Sequence, residues 1–148
     1  LSDANDLINR VLDSRQDLNM YMLPWPSFMI TSERFRKHPK TADPAVIAKF
    51  LATGNLFWYS LPPGYIDMGP RVILEAMATG LPVIADNWGG APDRVTPECG
   101  WICDTKDQMV DVISNVTVEE LQKRGKAARA RAVSEFIPQR WISEVVDA

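Results

Sequence analysis

The sequence predicts an α/β fold, in which a parallel sheet carries helices on both faces, and three observations support this. The apolar runs at residues 55–60 and 81–85 are nearly continuous, as expected for strands that are covered on both sides. Segments with apolar residues at helical spacing alternate with these runs at short intervals. The sequence shows no internal repeat and no linker, so residues 1–148 are expected to form one domain.

The N-terminal third is expected to supply two helices and at least one strand. Residues 3–14 have apolar side chains at helical spacing, and residues 18–23 are expected to form a strand. A stretch rich in proline, serine and charge follows, and its short apolar run at residues 28–30 is a further strand candidate. Asp43 before Pro44 marks the start of a helix that Gly54 then ends.

The rest of the chain continues the alternation. Pro70 opens a predicted helix, and the buried strand at residues 81–85 leads into a tight turn at residues 86–91. Residues 101–103 are expected to form another short strand, and a last helix is predicted near Pro138. Two capping boxes mark further helix starts and pair Thr105 with Gln108 and Thr117 with Glu120.

Composition argues against several functional classes. The formal net charge of −3 leaves no basic footprint for general nucleic-acid binding. No apolar stretch of the sequence approaches the roughly 20 residues that a bilayer-spanning helix needs. Cys99, Cys103 and the single His38 do not make a metal-binding set, so no metal is expected. The cysteines are interpreted as small buried residues of a protein in reducing, cytoplasmic surroundings.

Two adjacent strand ends have residues that suit a ligand. Parallel α/β sheets bind ligands beyond the carboxyl ends of their strands, and here the segments 59–80 and 86–93 follow two such ends. The first segment runs through a glycine-containing loop directly into a helix N-terminus, where free amides and the helix dipole favour an anion such as a diphosphate. Arg71 adds a positive charge in the first turn of that helix.

The same residues also have purely structural interpretations. Glu75 lies four residues after Arg71 on the same helix face, so a simple surface ion pair is an equally good explanation of both. Asp67, which precedes the helix, is suited to act as an N-terminal acid that complements the dipole. Spacing alone leaves both alternatives open.

The segment at residues 67–90 resembles the C-terminal domain of the glycosyl transferases group 1 family, whose members are retaining enzymes of the two-domain GT-B fold. The family pattern is Glu, seven residues, Glu, then Ala-Met-Ala, a small residue, Gly-x-Pro-Val-Ile-Ala and a later Gly-Gly. Glu75 matches the second Glu, AMATGLPVIA follows it, and Gly89-Gly90 match the glycine pair. The resemblance extends over roughly residues 40–148 and implies a Rossmann-like half of a GT-B fold.

The resemblance implies a role for each matching residue. Glu75 would hydrogen-bond the ribose hydroxyls of a nucleotide-diphospho-sugar, and Asp67 stands where the family's first Glu contacts the donor sugar. Backbone contacts to the sugar and the diphosphate are implied for Gly69, Arg71 and Val72. Gly89 and Gly90 would lie near the cleft. The family needs no metal and no cofactor, because the helix N-terminus and basic side chains stabilise the leaving diphosphate.

The sequence departs from the family pattern at several positions. Asp67 is one methylene shorter than Glu, and Pro70 replaces a loop glycine and so removes one N–H. The first 17 residues resemble the helix that follows the family's first C-domain strand. We therefore expect that strand to precede Leu1 and the chain to be a fragment or a processed piece. Asn5 stands near the position of the family's usual Lys. Two interpretations of Arg36, Lys37 and Lys40 are open: they replace the missing basic contacts, or they simply belong to a solvated charged loop.

The favoured interpretation is the donor-binding half of a retaining, cytoplasmic glycosyltransferase, with the acceptor site on an N-terminal domain. We expect this chain alone to bind nucleotide weakly or not at all, and to turn over nothing measurable. If Leu1 is the true start, the missing strand would expose a sheet edge, and we expect either a homodimer or a rearranged sheet edge. The alternative is a degenerate, non-catalytic binding or interaction module. An epimerase of the same fold is disfavoured because His38 is the only histidine of the sequence. A receiver-type signalling domain is disfavoured because no acidic pair follows a first strand.

Overall fold

The computed structural model describes residues 2–22, 32–38, 41–62 and 64–137. In chain order the elements of this part are α1 (Ser2–Ser14), β1 (Met20–Met22), β2 (Phe35–Lys37), α2 (Pro44–Leu51), β3 (Phe57–Tyr59), α3 (Arg71–Ala78), β4 (Val83–Asp86), α4 (Ala91–Arg94), β5 (Gly100–Cys103), α5 (Lys106–Asn115) and α6 (Val118–Glu135). The strand candidate at residues 28–30, the helix predicted near Pro138 and the basic candidate Lys40 lie outside the described residues.

All strand pairs are parallel, as the sequence predicts. β4 lies between β3 and β5, with Ile84 opposite both Trp58 and Trp101. β1 pairs with β2 as a separate two-stranded group, with Tyr21 opposite Arg36. The predicted parallel α/β architecture is therefore confirmed, and the described strands are divided into two hydrogen-bonded groups.

Side-chain packing joins the two groups where strand pairing does not. Met20 of β1 and Trp58 of β3 both pack against Ile8, Leu12 and Phe35. Helix α1 therefore lies against both groups and covers the boundary between them.

Helices cover both faces of the three-stranded group. On one face, Ile84 packs with residues of α1 and α5, including Met109 and Ile113. On the other face, Val83 and Ala85 pack with residues of α2, α3 and α6, namely Leu51, Ile73, Ala76, Met77, Ala128 and Ala132. Successive residues of a strand point to opposite faces, so β4 is buried from both sides. This explains the nearly continuous apolar run that the sequence shows there.

The predicted helix caps are present. Asp43 accepts a hydrogen bond from the amide of Ala45 at the start of α2. Both predicted capping boxes form with reciprocal hydrogen bonds, one at Thr105 before α5 and one at Thr117 before α6. Helix α3 begins one residue later than predicted, at Arg71, because Pro70 occupies the N-cap position.

The guanidinium group of Arg15 links the end of α1 to the end of α5 through hydrogen bonds. Arg15, directly after α1, donates from Nη1 to the carbonyl oxygens of Val116 (2.8 Å) and Ile113 (3.4 Å). Its Nε and Nη2 donate to the two carboxylate oxygens of Asp17 at 3.0 and 2.6 Å. A cation at a helix C-terminus satisfies carbonyl groups that have no partner within the helix and interacts favourably with the dipole.

We predict that Arg15→Met lowers the free energy of unfolding by about 1 kcal/mol, because two carbonyl oxygens at the end of α5 lose their cationic donor. Urea denaturation followed by circular dichroism measures this loss. Arg10→Met is the matched control, since Arg10 forms only an exposed ion pair with Asp107 at 2.5 Å and should leave the midpoint nearly unchanged. Equal midpoints for the two variants would contradict the role of Arg15.

Candidate functional site

The carboxyl ends of β3, β4 and β5 lie together because the three strands are parallel. Tyr59, Asp86 and Cys103 are the last residues of these strands. The segment from Ser60 to Gly69, described except for residue 63, leaves β3 at this edge and leads into α3. We call this segment the rim loop.

Asp67 of the rim loop is bound by donors of the protein itself. Its Oδ2 accepts a hydrogen bond from the hydroxyl of Tyr59 at 2.8 Å, and its Oδ1 accepts one from the amide of Gly69 at 2.9 Å. Asp67 lies three residues before the N-cap of α3, and the two donors that hold its carboxylate belong to β3 and to the rim loop. The amide of Gly69, a predicted ligand donor, is engaged by this carboxylate.

The backbone of the predicted glycine pair, Gly89 and Gly90, lies in close contact with the backbone of the rim loop. Gly89 has a φ of +59°, and a Cβ there would lie 2.5 Å from the carbonyl oxygen of Asp67. A Cβ on Gly90 would overlap the carbonyl oxygen of Met68, and the amide of Gly90 donates to the Asp67 carbonyl oxygen at 2.9 Å. Only residues without a side chain allow this approach, so the pair fixes the end of the loop.

Apolar side chains of the rim loop face solvent. Tyr65, Ile66 and Met68 are all exposed, as is Trp88 in the neighbouring turn. The indole Nε1 of Trp88 donates to the carbonyl oxygen of Tyr65 at 3.1 Å, which ties the turn to the middle of the loop.

The start of α3 presents both predicted charged residues to solvent. The Arg71 side chain is 89% exposed and that of Glu75 is 44% exposed, and Nε and Oε1 are 3.8 Å apart. The surface-pair interpretation of the sequence is therefore realised in this structure. The N-cap residue Pro70 makes no side-chain hydrogen bond to the helix, and Val72 is half-buried in the first turn.

A polar network at the same edge was not predicted from the sequence. Lys106, the first residue of α5, forms an ion pair with Oδ1 of Asp86 and donates to the hydroxyl of Ser60 at 2.5 Å. The other oxygen of Asp86 accepts from the amide of Leu61 at 2.7 Å. A lysine in the first turn of a helix opposes the dipole, as Arg71 does, and this unfavourable placement is the sequence signal for a partner of Lys106.

The cysteines are buried and free, as interpreted from the sequence. Burial, together with the negative charges of Asp86 and Asp104, raises the pKa of the Cys103 thiol to about 11. Within the described ranges, no group of three or more His, Cys, Asp or Glu residues is arranged to hold a metal ion. Helices of the described part are all too short or too polar to cross a membrane.

Two of the predicted basic substitutes belong to the other group of strands. Arg36 and Lys37 belong to β2, in the two-stranded group, whereas the rim loop and α3 are attached to the three-stranded group. Their proposed contact with a diphosphate remains a prediction.

The layered parallel architecture, with a loop-to-helix corner at the carboxyl edge, defines a Rossmann-like domain of the kind that forms half of a GT-B protein. The family model described as "Glycosyl transferases group 1" matches residues 58–132, just over half of the chain. The chain belongs to this family, and the matched segment contains the rim loop, α3 and the glycine pair.

Two similar proteins agree with this assignment. A Corynebacterium glutamicum protein named GDP-mannose-dependent monoacylated alpha-(1-6)-phosphatidylinositol monomannoside mannosyltransferase is 38% identical over 76 residues, which are 51% of this chain and 19% of that protein. The crystal structure of TarM superposes with a TM-score of 0.75 and 13% identity, covering 99% of this chain and 31% of TarM. The TarM likeness shows the shared fold, and this chain spans less than a third of either protein.

We predict that Tyr59→Phe lowers the free energy of unfolding at neutral pH by about 1 kcal/mol, because Asp67 loses a hydroxyl donor. Burial and the hydrogen bond to the Asp67 carboxylate raise the pKa of Tyr59 above its ordinary value of 10.0. The unfolded chain therefore ionises this tyrosine first, and stability falls as the pH rises above about 10.

Urea titrations between pH 7 and 11 measure both effects. The alkaline loss of stability should be smaller in Tyr59→Phe, whereas the part due to the buried Cys103 thiol should remain in both proteins. Tyr21→Phe is a suitable control, since Tyr21 is exposed and belongs to β1, in the other group of strands. An identical alkaline profile for wild type and Tyr59→Phe would contradict the assigned role of the hydroxyl.

Proposed function

We propose that this chain binds the nucleotide-diphospho-sugar donor of a retaining glycosyltransferase. The observation that supports this best is the start of α3, where an uncapped helix end, the exposed Arg71 and the exposed Glu75 meet at the carboxyl edge of three parallel strands. The segment lies within the residues matched by the family model.

The diphosphate is proposed to lie at the N-terminus of α3. A helix start attracts anions through its free amides and its dipole. Arg71 opposes that dipole when no anion is present, and its side chain is free to move because it is 89% exposed. A bound diphosphate would convert this unfavourable placement into a charge-assisted contact.

Glu75 is proposed to accept hydrogen bonds from the ribose hydroxyls. Its contact with Arg71, at 3.8 Å between Nε and Oε1, is a solvent-exposed pair, and such pairs contribute little to stability. Exchanging this pair for two ligand contacts therefore costs little. Arg71 would turn towards the diphosphate as Glu75 receives the ribose.

Asp67 is proposed to contact the donor sugar. Each of its carboxylate oxygens already accepts one hydrogen bond, and each has capacity for a second. The donors Tyr59 and Gly69 hold the carboxylate in one orientation. A sugar hydroxyl would then bind to a carboxylate that is already oriented, which reduces the entropic cost of binding.

In the proposed reaction, the anomeric carbon of the sugar forms a bond to an acceptor hydroxyl oxygen while its bond to the diphosphate oxygen breaks. The acceptor loses its proton, and the nucleoside diphosphate leaves. Charge that develops on the leaving group would be stabilised by the α3 dipole and Arg71, without a metal. The acceptor and the general base are proposed to come from a second domain, and the enzyme to act in the cytoplasm.

A second candidate is a binding module that retains the fold without the chemistry. Two observations favour it: Pro70 has no amide hydrogen, and the amide of Gly69 is occupied by Asp67. Two backbone donors at the proposed diphosphate position are thus absent or engaged. Such a module would use the carboxyl edge of the strands to bind another partner. A homodimer that forms through an open side of the sheet is part of this second proposal.

We predict that guanosine diphosphate raises the melting temperature of the chain more than uridine or adenosine diphosphate does, in keeping with the name of the mannosyltransferase relative. At ten times the dissociation constant, the expected rise is about 3–6 °C. Because binding by this chain alone is expected to be weak, the nucleotides should be tested at millimolar concentration.

Glu75→Gln should reduce the rise, because a neutral amide forms weaker hydrogen bonds with the ribose hydroxyls than a carboxylate does, and it should leave the melting temperature without nucleotide nearly unchanged, because the residue is exposed. Glu135→Gln is the matched control, since Glu135 forms the same type of i, i+4 pair with Arg131 on α6, at 2.7 Å. A rise that is equal in wild type and Glu75→Gln would remove the ribose role. A complete lack of response to all three nucleotides would contradict the predicted binding by this chain, and the same measurement on the chain joined to its proposed second domain would then separate the donor-binding domain from the non-catalytic module.

A further inference from the structure

The ion pair of Lys106 and Asp86 connects three separate parts of the carboxyl edge. Lys106 begins α5, Asp86 ends β4, and Ser60, which accepts a hydrogen bond from Lys106, directly follows β3. The other oxygen of Asp86 accepts from the amide of Leu61 at 2.7 Å. One carboxylate thus links the start of a helix to the point where the rim loop leaves the sheet.

Stability alone is a poor explanation for this pair. The Asp86 side chain is only 17% exposed and that of Lys106 is 39% exposed, so both charges have lost part of their hydration. The loss of hydration offsets much of the attraction between such partners, and an apolar pair of similar volume often serves stability as well. What the charges add is a fixed geometry, because the carboxylate directs one oxygen to the ammonium and the other to a backbone amide.

The rim loop has a second anchor at its far end. The hydroxyl of Tyr59 and the amide of Gly69 hold the carboxylate of Asp67, and the amide of Gly90 holds its carbonyl oxygen at 2.9 Å. Between the two anchors, the exposed apolar side chains of the loop contribute little burial that could order it. The two anchors, together with the hydrogen bond from the Trp88 indole to the carbonyl oxygen of Tyr65, therefore determine where the loop runs.

We propose that Lys106 is a positioning residue, which orients the Asp86 carboxylate so that Leu61 and the rim loop are ordered before the ligand arrives. The positioning role itself does not depend on the proposed function. Only its consequence rests on that function, namely that the ordered loop presents Asp67 and the start of α3 to the nucleotide sugar. Without Lys106, Asp86 would turn to solvent and the first part of the loop would lose its anchor. Binding would then have to order this segment, which weakens affinity about tenfold for each residue left without a fixed backbone.

Amide exchange and indole spectra of the full chain, measured without nucleotide, test the positioning role. In Lys106→Met, the Leu61 amide should exchange at least about tenfold faster, because its acceptor is no longer oriented. The Trp88 indole resonance, identified by its absence in Trp88→Phe, should shift or broaden, because its acceptor Tyr65 lies in the same loop. The amide of Ile84, at the centre of the sheet, should keep its wild-type exchange rate.

Lys106→Arg should restore slow exchange at Leu61, since a guanidinium also reaches a carboxylate and keeps the charge. Asp107→Asn is the matched control, because it breaks the exposed pair with Arg10 one residue further along α5 and should leave Leu61 and Trp88 unchanged. If Lys106→Met does not fold, Lys106→Gln, which keeps a donor near Ser60, replaces it in the same measurement.

Unchanged exchange at Leu61 in Lys106→Met, or equal acceleration at Leu61 and Ile84, would overturn the positioning role. Because these measurements use no ligand, they remain valid if the chain binds no nucleotide. If guanosine diphosphate does bind, its dissociation constant should rise about tenfold in Lys106→Met and return towards the wild-type value in Lys106→Arg. A wild-type dissociation constant in a variant with a released Leu61 amide would overturn the consequence for binding.

Discussion

The parallel alignment of β4 between β3 and β5 is the constraint on which the rest of this structure depends. Because both neighbours run in the same direction as β4, Tyr59, Asp86 and Cys103 end at one edge. Asp67, the start of α3 and Lys106 each follow one of these three ends. Had one strand run antiparallel, its following loop would lie at the opposite edge, and no common site would form.

Short-range features of this fold were predictable from the sequence, and features that depend on distant pairs were not. The caps at Asp43, Thr105 and Thr117 require only neighbouring residues, so their sequence signatures were sufficient. The central strand could be recognised because burial on both faces leaves an uninterrupted apolar run. The division of the strands into two groups depends instead on which edges find partners, and no local pattern encodes that choice.

The site shows the same distinction. Arg71 and Glu75 are four residues apart on one helix, and their contact follows from helical periodicity. Lys106 and Asp86 are 20 residues apart, and their contact depends on how α5 follows β5. Asp67 could be placed before a helix from the sequence, but its hydrogen bond to Tyr59 arises because the loop folds back on the strand that it leaves.

The electrostatics of this edge are divided between side chains and backbone. The negative charge of Asp86 is paired with the ammonium of Lys106. Asp67 keeps its negative charge, because the donors that hold it, the Tyr59 hydroxyl and the Gly69 amide, are neutral. The helix dipole and Arg71 therefore have to outweigh the charge of Asp67 if an anion is to bind at the start of α3.

The two-anchored rim loop also bears on how such a domain can change over evolutionary time. Closing a longer loop between fixed ends costs little additional entropy, so the insertion or exchange of residues between the anchors has a small cost to folding. The exposed side chains of that segment make few contacts that a replacement would disturb. The anchors and the exposed segment are thus separated along the chain, and related domains can acquire a different loop by altering a handful of codons while the scaffold is inherited intact.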